Sequence, residues 1–331
     1  MNTMKKCFMV TLALMVCMVC AFCTPIHASP APVVITAAAG GVSGTWYSVL
    51  AALSEIVNKE NRGIILKVVP GGSITNPIAV QTGEVDAGLT TAAFAMAARD
   101  GLKPYETKNA DVLGVFSDFN PNCFEITAIK GCGYSSLKEA ITGDKPARIL
   151  TATKSTSTGW HFDRVLEFYG VTVEEIEKKG GKVIYTDYGD WPQMATDGHV
   201  DVMFNQGGVP SSTLMEISTS REVVELPWPE DLANYFKETY ALADWVIAAG
   251  TYDWLKEDIP ALQAPTVMTI NASVPNQAVY TLLEIMDEKI DLVRKIHPSI
   301  MNFEMSKAWS GTGVALHPGA EKFFKDKGYM K

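Results

Sequence analysis

Apolar and polar positions along the chain follow one recurring order: a short apolar strand, a loop of small hydroxyl residues, then a helix. Val33-Val34-Ile35-Thr36 has the length and β-branched character of a buried strand. It opens into Gly40-Gly41-Val42-Ser43-Gly44-Thr45-Trp46-Tyr47. Beyond that loop Val49, Leu50, Leu53, Ile56 and Val57 recur at helical spacing, with Ser54, Glu55 and Asn58 on the opposite face. Ile64 to Val69 is a second strand, followed by Pro70-Gly71-Gly72-Ser73 and a helix to Thr82 that Gly83 stops. A third unit has Asp86 to Leu89 as strand, Thr90-Thr91 as cap, and an alanine-rich helix ending near Gly101. Three such units predict an α/β domain with parallel strands.

From about Phe124 the theme restarts. Glu125 to Ile129 is strand-like, and Ile149 to Ala152 leads into Lys154-Ser155-Thr156-Ser157-Thr158 and a helix through Phe168, stopped by Gly170. Val183 to Tyr185 predicts a strand, Asp190 to Thr196 a short helix, and Val200 to Phe204 a strand entering Gly207-Gly208-Val209-Pro210, with Pro210 in the first turn of another helix. These units read as a second α/β domain inserted in the first. Beyond Trp245 come apolar Val246 to Ala249, a turn at Gly250-Thr251-Tyr252 and strand-like Thr266 to Ile270. A long helix from Gln277 to Ile296 and a tail helix after Pro318-Gly319 are expected to return the chain to the first domain.

The N-terminus changes the compartment. Lys5 and Lys6 precede an uncharged run from Cys7 to Cys23 and then Thr24 to Ser29, the pattern of a secretory signal peptide cleaved after Ala28, with Ala31 as the alternative site. An uncleaved anchor would use a run slightly short for a span, and the bulky residues before Cys20 and Cys23 argue against lipid attachment. Removing residues 1–28 takes the formal charge from −9 to −11. That balance argues against nucleic acid or an anionic membrane surface as partner, though not against an acidic ligand held by local dipoles. Cys123 and Cys132 remain, where disulfides are permitted. If Phe124 to Lys130 is one straight strand, its ends stand roughly 20 Å apart, too far for a bridge.

Each loop precedes a helix N-terminus, where unpaired N–H groups and the positive dipole end favour an anionic group. In open α/β sheets such loops converge on one crevice. Candidate ligand residues are therefore Ser43, Thr45, Ser73, Thr90, Thr91, Ser155, Ser157, Thr158 and the backbone at Gly207 and Gly208. Trp46, Tyr47 and Trp191 are candidate walls, and Lys154 is a cationic side chain that could neutralise a carboxylate. For each hydroxyl the competing reading is that it only caps its own helix. Catalytic patterns are missing: His161, His199, His297 and His317 show no metal-ligand spacing, and no G-x-S-x-G elbow, Walker loop or dinucleotide fingerprint occurs. The expectation is a binding protein with no catalytic residue, metal or cofactor. Asp190 with His161 is the best acid/base pair a rival enzyme reading could use.

At these same residues the chain resembles the TAXI family of TRAP-transporter-associated solute-binding proteins. The resemblance is carried by Gly44-Thr45-Trp46-Tyr47, Gly71-Gly72-Ser73 with Asn76, Gly83 to Leu89, Leu166 to Thr172, Ala249 to Tyr252, and the tail Leu316-His317-Pro318-Gly319-Ala320-Glu321 with Gly328. It implies a type II periplasmic-binding-protein fold, in which two α/β lobes joined by crossing strands close on a central ligand cleft. The segments would be 29–122 for lobe 1, 123–245 for lobe 2, and 246–331 for the return. It also implies a periplasmic monomer, a glutamate- or glutamine-like carboxylate as ligand, and TRAP permease subunits as partners; a sensor-domain client is the other reading. Two departures bear on the ligand. The second-lobe loop reads Ser155-Thr156-Ser157-Thr158 where a Gly-Ser-Gly-Thr-like turn is usual, and the approach from Ser135 to Arg148 is long.

Overall fold

The computed structural model describes residues 31–330 except Ala241; the expected leader and its cleavage point lie outside them. Among the described residues the strands are β1 Val33–Ala38, β2 Ile64–Val69, β3 Ala87–Thr91, β4 Val112–Phe116, β5 Pro121–Ile129, β6 Arg148–Thr151, β7 Lys182–Tyr185, β8 Val202–Gly207, β9 Val223–Glu225, β10 Ala243–Ile247 and β11 Ile259–Asn271. Their order is β2-β1-β3-β11-β5-β8-β6-β7, with β4 and β10 also paired to β11 and β9 to β5.

The path divides into two half-sheets that share one strand. In the first, β1 runs parallel to β2 and β3, while β11 closes antiparallel on β3 through Thr266 to Ile270. In the second, β6 runs parallel to β7 and β8, β8 pairs antiparallel with β5, and the N-terminal part of β11 pairs with β5 and β10. β11 therefore crosses from one half-sheet to the other, and Pro265 opposite Pro121 marks the crossing. Proline donates no ladder hydrogen bond, so a Pro–Pro pair suits the place where the ladder changes partners. In sequence the β pattern is visible only over Thr266 to Ile270, because Pro260 and Pro265 hide the first half of the strand.

Helices follow the strands as the apolar periodicity requires. α1 Thr45–Lys59 buries Val49, Leu50, Leu53 and Val57 on the first half-sheet. α2 is Thr75–Thr82, α3 Ala92–Asp100, and α4 Leu137–Thr142 precedes β6. α5 Ser157–Tyr169 packs Phe162, Val165 and Leu166 on the second half-sheet. Gly83 at φ 72° and Gly170 at φ 64° end α2 and α5 in the left-handed conformation that suits glycine.

Two predicted helices differ. The run from Gln277 to Ile296 is Asn276–Glu288 and Ile290–Arg294, broken at Lys289 (φ −106°, ψ 22°). Lys289 there reaches Glu60 at 3.0 Å, and Arg294 beyond the break donates to the Phe303 carbonyl at 2.8 Å. Pro210 does not open a helix either. Ser211 caps the helix Ser212–Ser220, its hydroxyl accepting from Leu214 N–H, so Pro210 lies before the cap. The strand expected at Val200 starts at Val202 and runs to Gly207, carrying Gln206 to the strand's end. Cys123 and Cys132 are both free. Among the described residues no helix is long and apolar enough to cross a membrane.

Candidate ligand site

The loops after β1, β2, β6 and β8 meet where the half-sheets face each other. They enclose a cavity of about 50 Å³ lined by Gly40, Gly41, Gly44, Thr45, Trp46, Gly72, Ser73, Asn122, Thr156, Ser157, Thr158, Tyr188, Gln206 and Gly207. Its wall contains no Asp, Glu, Lys, Arg or His. A roomier, mostly apolar cavity of about 640 Å³ includes Pro121 and Cys123, while Asn122 lines the smaller one. Alternation along β5 thus puts the two cavities on opposite faces of the strand.

Two helix N-termini reach the small cavity from opposite half-sheets. At α1 Gly44 supplies no side-chain cap. Tyr47 and Ser48 N–H both reach Gly44 O, leaving the Thr45 and Trp46 amides without a main-chain acceptor. At α5 Thr156 takes Gly159 N–H on its hydroxyl, and Ser157 N–H donates across the gap to Ser73 Oγ at 2.6 Å. The Thr158 amide has no main-chain acceptor. Both dipoles present their positive ends to the same small volume.

Two side chains in the wall are buried without partners. Trp46 Nε1 and both amide atoms of Gln206 have no hydrogen bond among the described residues, although the residues are only 8 % and 4 % exposed. The Gln206 side chain comes within reach of His161 without the geometry of a hydrogen bond, and His161 Nδ1 is engaged by the Ser157 carbonyl at 2.7 Å. Burial pushes the imidazole of His161 down to about 4, so it is neutral and donates there. Leaving such polar atoms unpaired costs free energy, and a bound solute with complementary atoms would recover it.

Thr158, Tyr188 and Gln206 form a relay. Burial pushes the Tyr188 phenol up to about 12, so it stays protonated and donates to the Gln206 carbonyl at 3.0 Å. The Thr158 hydroxyl, 2.9 Å away, must then donate to Tyr188 Oη. Its proton is thus committed, and Thr158 offers a solute its amide and an oxygen lone pair.

A profile of the NMT1-like family matches residues 37–328. The chain belongs to the NMT1-like family. Among solved structures it is similar to one described as a periplasmic transporter, with 11 % identity, a TM-score of 0.51, and coverage of 91 % of this chain and 95 % of that one. It is also similar to MatC from Rhodopseudomonas palustris with bound malate, with 11 % identity, a TM-score of 0.54, and coverage of 90 % and 98 %. At that identity the likeness shows the fold, which is the periplasmic-binding-protein fold, two α/β lobes about a cleft.

The NMT1-like fold brings Thr45, Trp46, Ser73, Ser157, Thr158 and Gly207 to the cavity wall and places the other sequence candidates elsewhere. Asn76 is buried beneath the wall; its Nδ2 binds the carbonyls of Ala39 and Leu89, both at 2.7 Å, and its Oδ1 takes Gly72 N–H. It pins the ends of β1 and β3 to the Gly72 loop. Thr90 and Thr91 are buried within β3, and the Thr90 hydroxyl donates to the Ser73 carbonyl at 2.6 Å. Tyr47 packs against the first core.

Lys154 is not part of the cavity wall and stands 3.6 Å from Asp163 and over the Tyr185 ring. Trp191 is wholly buried in a core with Leu150 and Met203. Its ring lies 4.8 Å from that of Tyr188, and so it supports the wall without forming it. Ser155 shares its hydroxyl with Thr153, Ser43 reaches Gly189, and Gly208 lies against Thr45. Asp190 and His161 do not pair: the carboxylate accepts from the Thr186 hydroxyl, while the imidazole sits among Phe94, Phe124 and Trp160.

Asn122, Tyr188 and Gln206 also line the cavity, although none of them is a serine or threonine at the start of a helix that follows a strand, the pattern that marks the hydroxyl candidates. The alternation of β8 running into Gly207-Gly208 carried the signal for Gln206.

Proposed function

We propose that this protein is an extracytoplasmic solute-binding receptor of a TRAP-type secondary transporter, holding a small organic anion between two lobes and delivering it to the membrane permease. The observation that carries the reading is the cavity itself. Free amides at the starts of α1 and α5, unpartnered Gln206 and Trp46, and an uncharged wall suit the capture of an acceptor-rich solute without chemistry on it. The bond from Ser157 to Ser73 joins loops from the two half-sheets, so a solute touching both would stabilise closure by differential contact.

In this reading residues 1–28 are a leader removed on export to the periplasm, 29–122 and 246–331 build one lobe, and 123–245 the other. The TRAP assignment rests on the sequence resemblance to TAXI proteins. The uncharged wall and the separation of Asp190 from His161 favour binding over catalysis. The test is to release whatever co-purifies with the protein, identify it by mass spectrometry, and add it back to refolded protein in a thermal-shift assay. A small carboxylate that raises Tm and is recovered unchanged is expected. Conversion of the compound, or a nucleotide or metal in its place, would sink the proposal.

A further inference from the structure

We infer that the cleft takes a small monocarboxylate without an ammonium group, an acid of the size of lactate or pyruvate, in preference to an α-amino acid or a dicarboxylate. The inference rests on the receptor reading above and narrows it.

Charge is the first argument. The wall offers main-chain donors, the amides of Thr45, Trp46 and Thr158, and behind them lie the buried, unpartnered Trp46 Nε1 and Gln206 amide. These suit one carboxylate, while the Thr158 oxygen can accept from a neighbouring hydroxyl. An ammonium group finds no counter-ion in that wall. Asp187 lies at the exposed rim, 3.6 Å from where a Cβ on Gly41 would be. Glu125 is on the other face of β5, its oxygens engaged by Tyr252 and Asn205. Burying an unpaired ammonium among amide donors is costly.

Size is the second argument. The cavity is small, about 50 Å³ against about 640 Å³ for its apolar neighbour. Loops of the two lobes already stand in close contact around it, since a Cβ on Gly72 would meet the Ser155 carbonyl oxygen at 2.8 Å, and one on Gly208 would meet Thr45 Cγ2 at 2.7 Å. Lactate brings one carboxylate and one hydroxyl to so small a space. Glutamate and succinate are longer and bring a second charged group.

The decisive comparison is lactate against L-alanine, which share a shape and differ at one substituent. Protein refolded free of ligand is titrated at constant ionic strength with acetate, glycolate, L-lactate, pyruvate, L-alanine, succinate and L-glutamate, followed by calorimetry and thermal shift. At a hundred times its Kd, L-lactate or pyruvate is expected to raise Tm by about 5 °C, with L-alanine and L-glutamate giving no rise. A rise with L-alanine, L-glutamate or succinate equal to or above that with lactate overturns the inference. If mass spectrometry finds an amino acid released from natively purified protein, the inference falls and the receptor reading stands. If nothing small is released and no compound shifts Tm, both fall.

Discussion

Ser73 Oγ accepts a 2.6 Å hydrogen bond from the amide of Ser157, joining a loop of one half-sheet to the first turn of a helix on the other. The Ser73 carbonyl is held in turn by the Thr90 hydroxyl, so the latch is anchored to β3. Replacing Ser73 with alanine leaves the Ser157 amide unpaired in the closed form only. Affinity for the released solute should drop about 2- to 10-fold, matching the 0.5–1.5 kcal/mol of one hydrogen bond. The Tm of ligand-free protein should hardly move. Equal calorimetric affinities for variant and wild type would remove the latch from the closing mechanism.

Gly72 tests closure by bulk. Its missing Cβ leaves room for Ser155 O, Thr75 Oγ1 and the close approach of the two loops. Gly72→Ala should oppose the closed state by about 1–3 kcal/mol, the usual cost of overpacking, and weaken binding accordingly. Small-angle scattering would show the wild type contracting on adding solute and the variant contracting less. Identical contraction would mean that the lobes close without bringing these loops together.

Periodicity exposed the strand–loop–helix units, since the longer helices such as α1 and α5 have a strong apolar face and glycine marks where several helices stop. It could not expose β11 in full, whose two prolines obscure the β pattern, nor the turn at Lys289, where tertiary contacts to Glu60 and Phe303 outweigh an unbroken helical pattern. The site was legible as a set of loops and less so residue by residue. Thr90 has the same chemistry as Thr45, yet its hydroxyl is spent inside the fold, and only the register of β3 decides that. Gln206 carries no motif and becomes conspicuous only when its amide is found buried without a partner.

That amide predicts a trade between stability and binding. Gln206→Leu replaces an unsatisfied polar group with an apolar one of similar length. The ligand-free protein should be as stable as wild type or more stable by up to about 1 kcal/mol in denaturant unfolding. Solute affinity should fall about 10- to 150-fold, the range for a hydrogen bond of about 1.5–3 kcal/mol to a charged group. A variant that loses stability and retains affinity would show that Gln206 is satisfied within the fold and stands outside the site.

Away from the cleft, buried Glu125 and half-buried Glu225 form a pair. Glu125 is held by the Tyr252 hydroxyl and Asn205 Nδ2, Glu225 by Thr127 Oγ1 and Trp254 Nε1. Burial raises both carboxyls well above their ordinary 4.5, and the charge of Glu125 raises Glu225 further. The folded state therefore binds more protons than the unfolded state from pH 4.5 up to about 8. The pair's contribution to stability is complete below 4.5 and is lost as pH rises through that window. The buried histidines act in the opposite sense below their ordinary 6.5, because burial lowers His161, His297 and His317. From about pH 7.5 to 8.5 those three are neutral in both states, and the carboxyl pair should dominate, so Tm should decline with rising pH. Glu225→Gln removes one titrating group and relieves the other, and its decline should be shallower. Parallel Tm profiles for variant and wild type across that range would show that Glu225 is already ionised at about pH 7.5 in the folded protein.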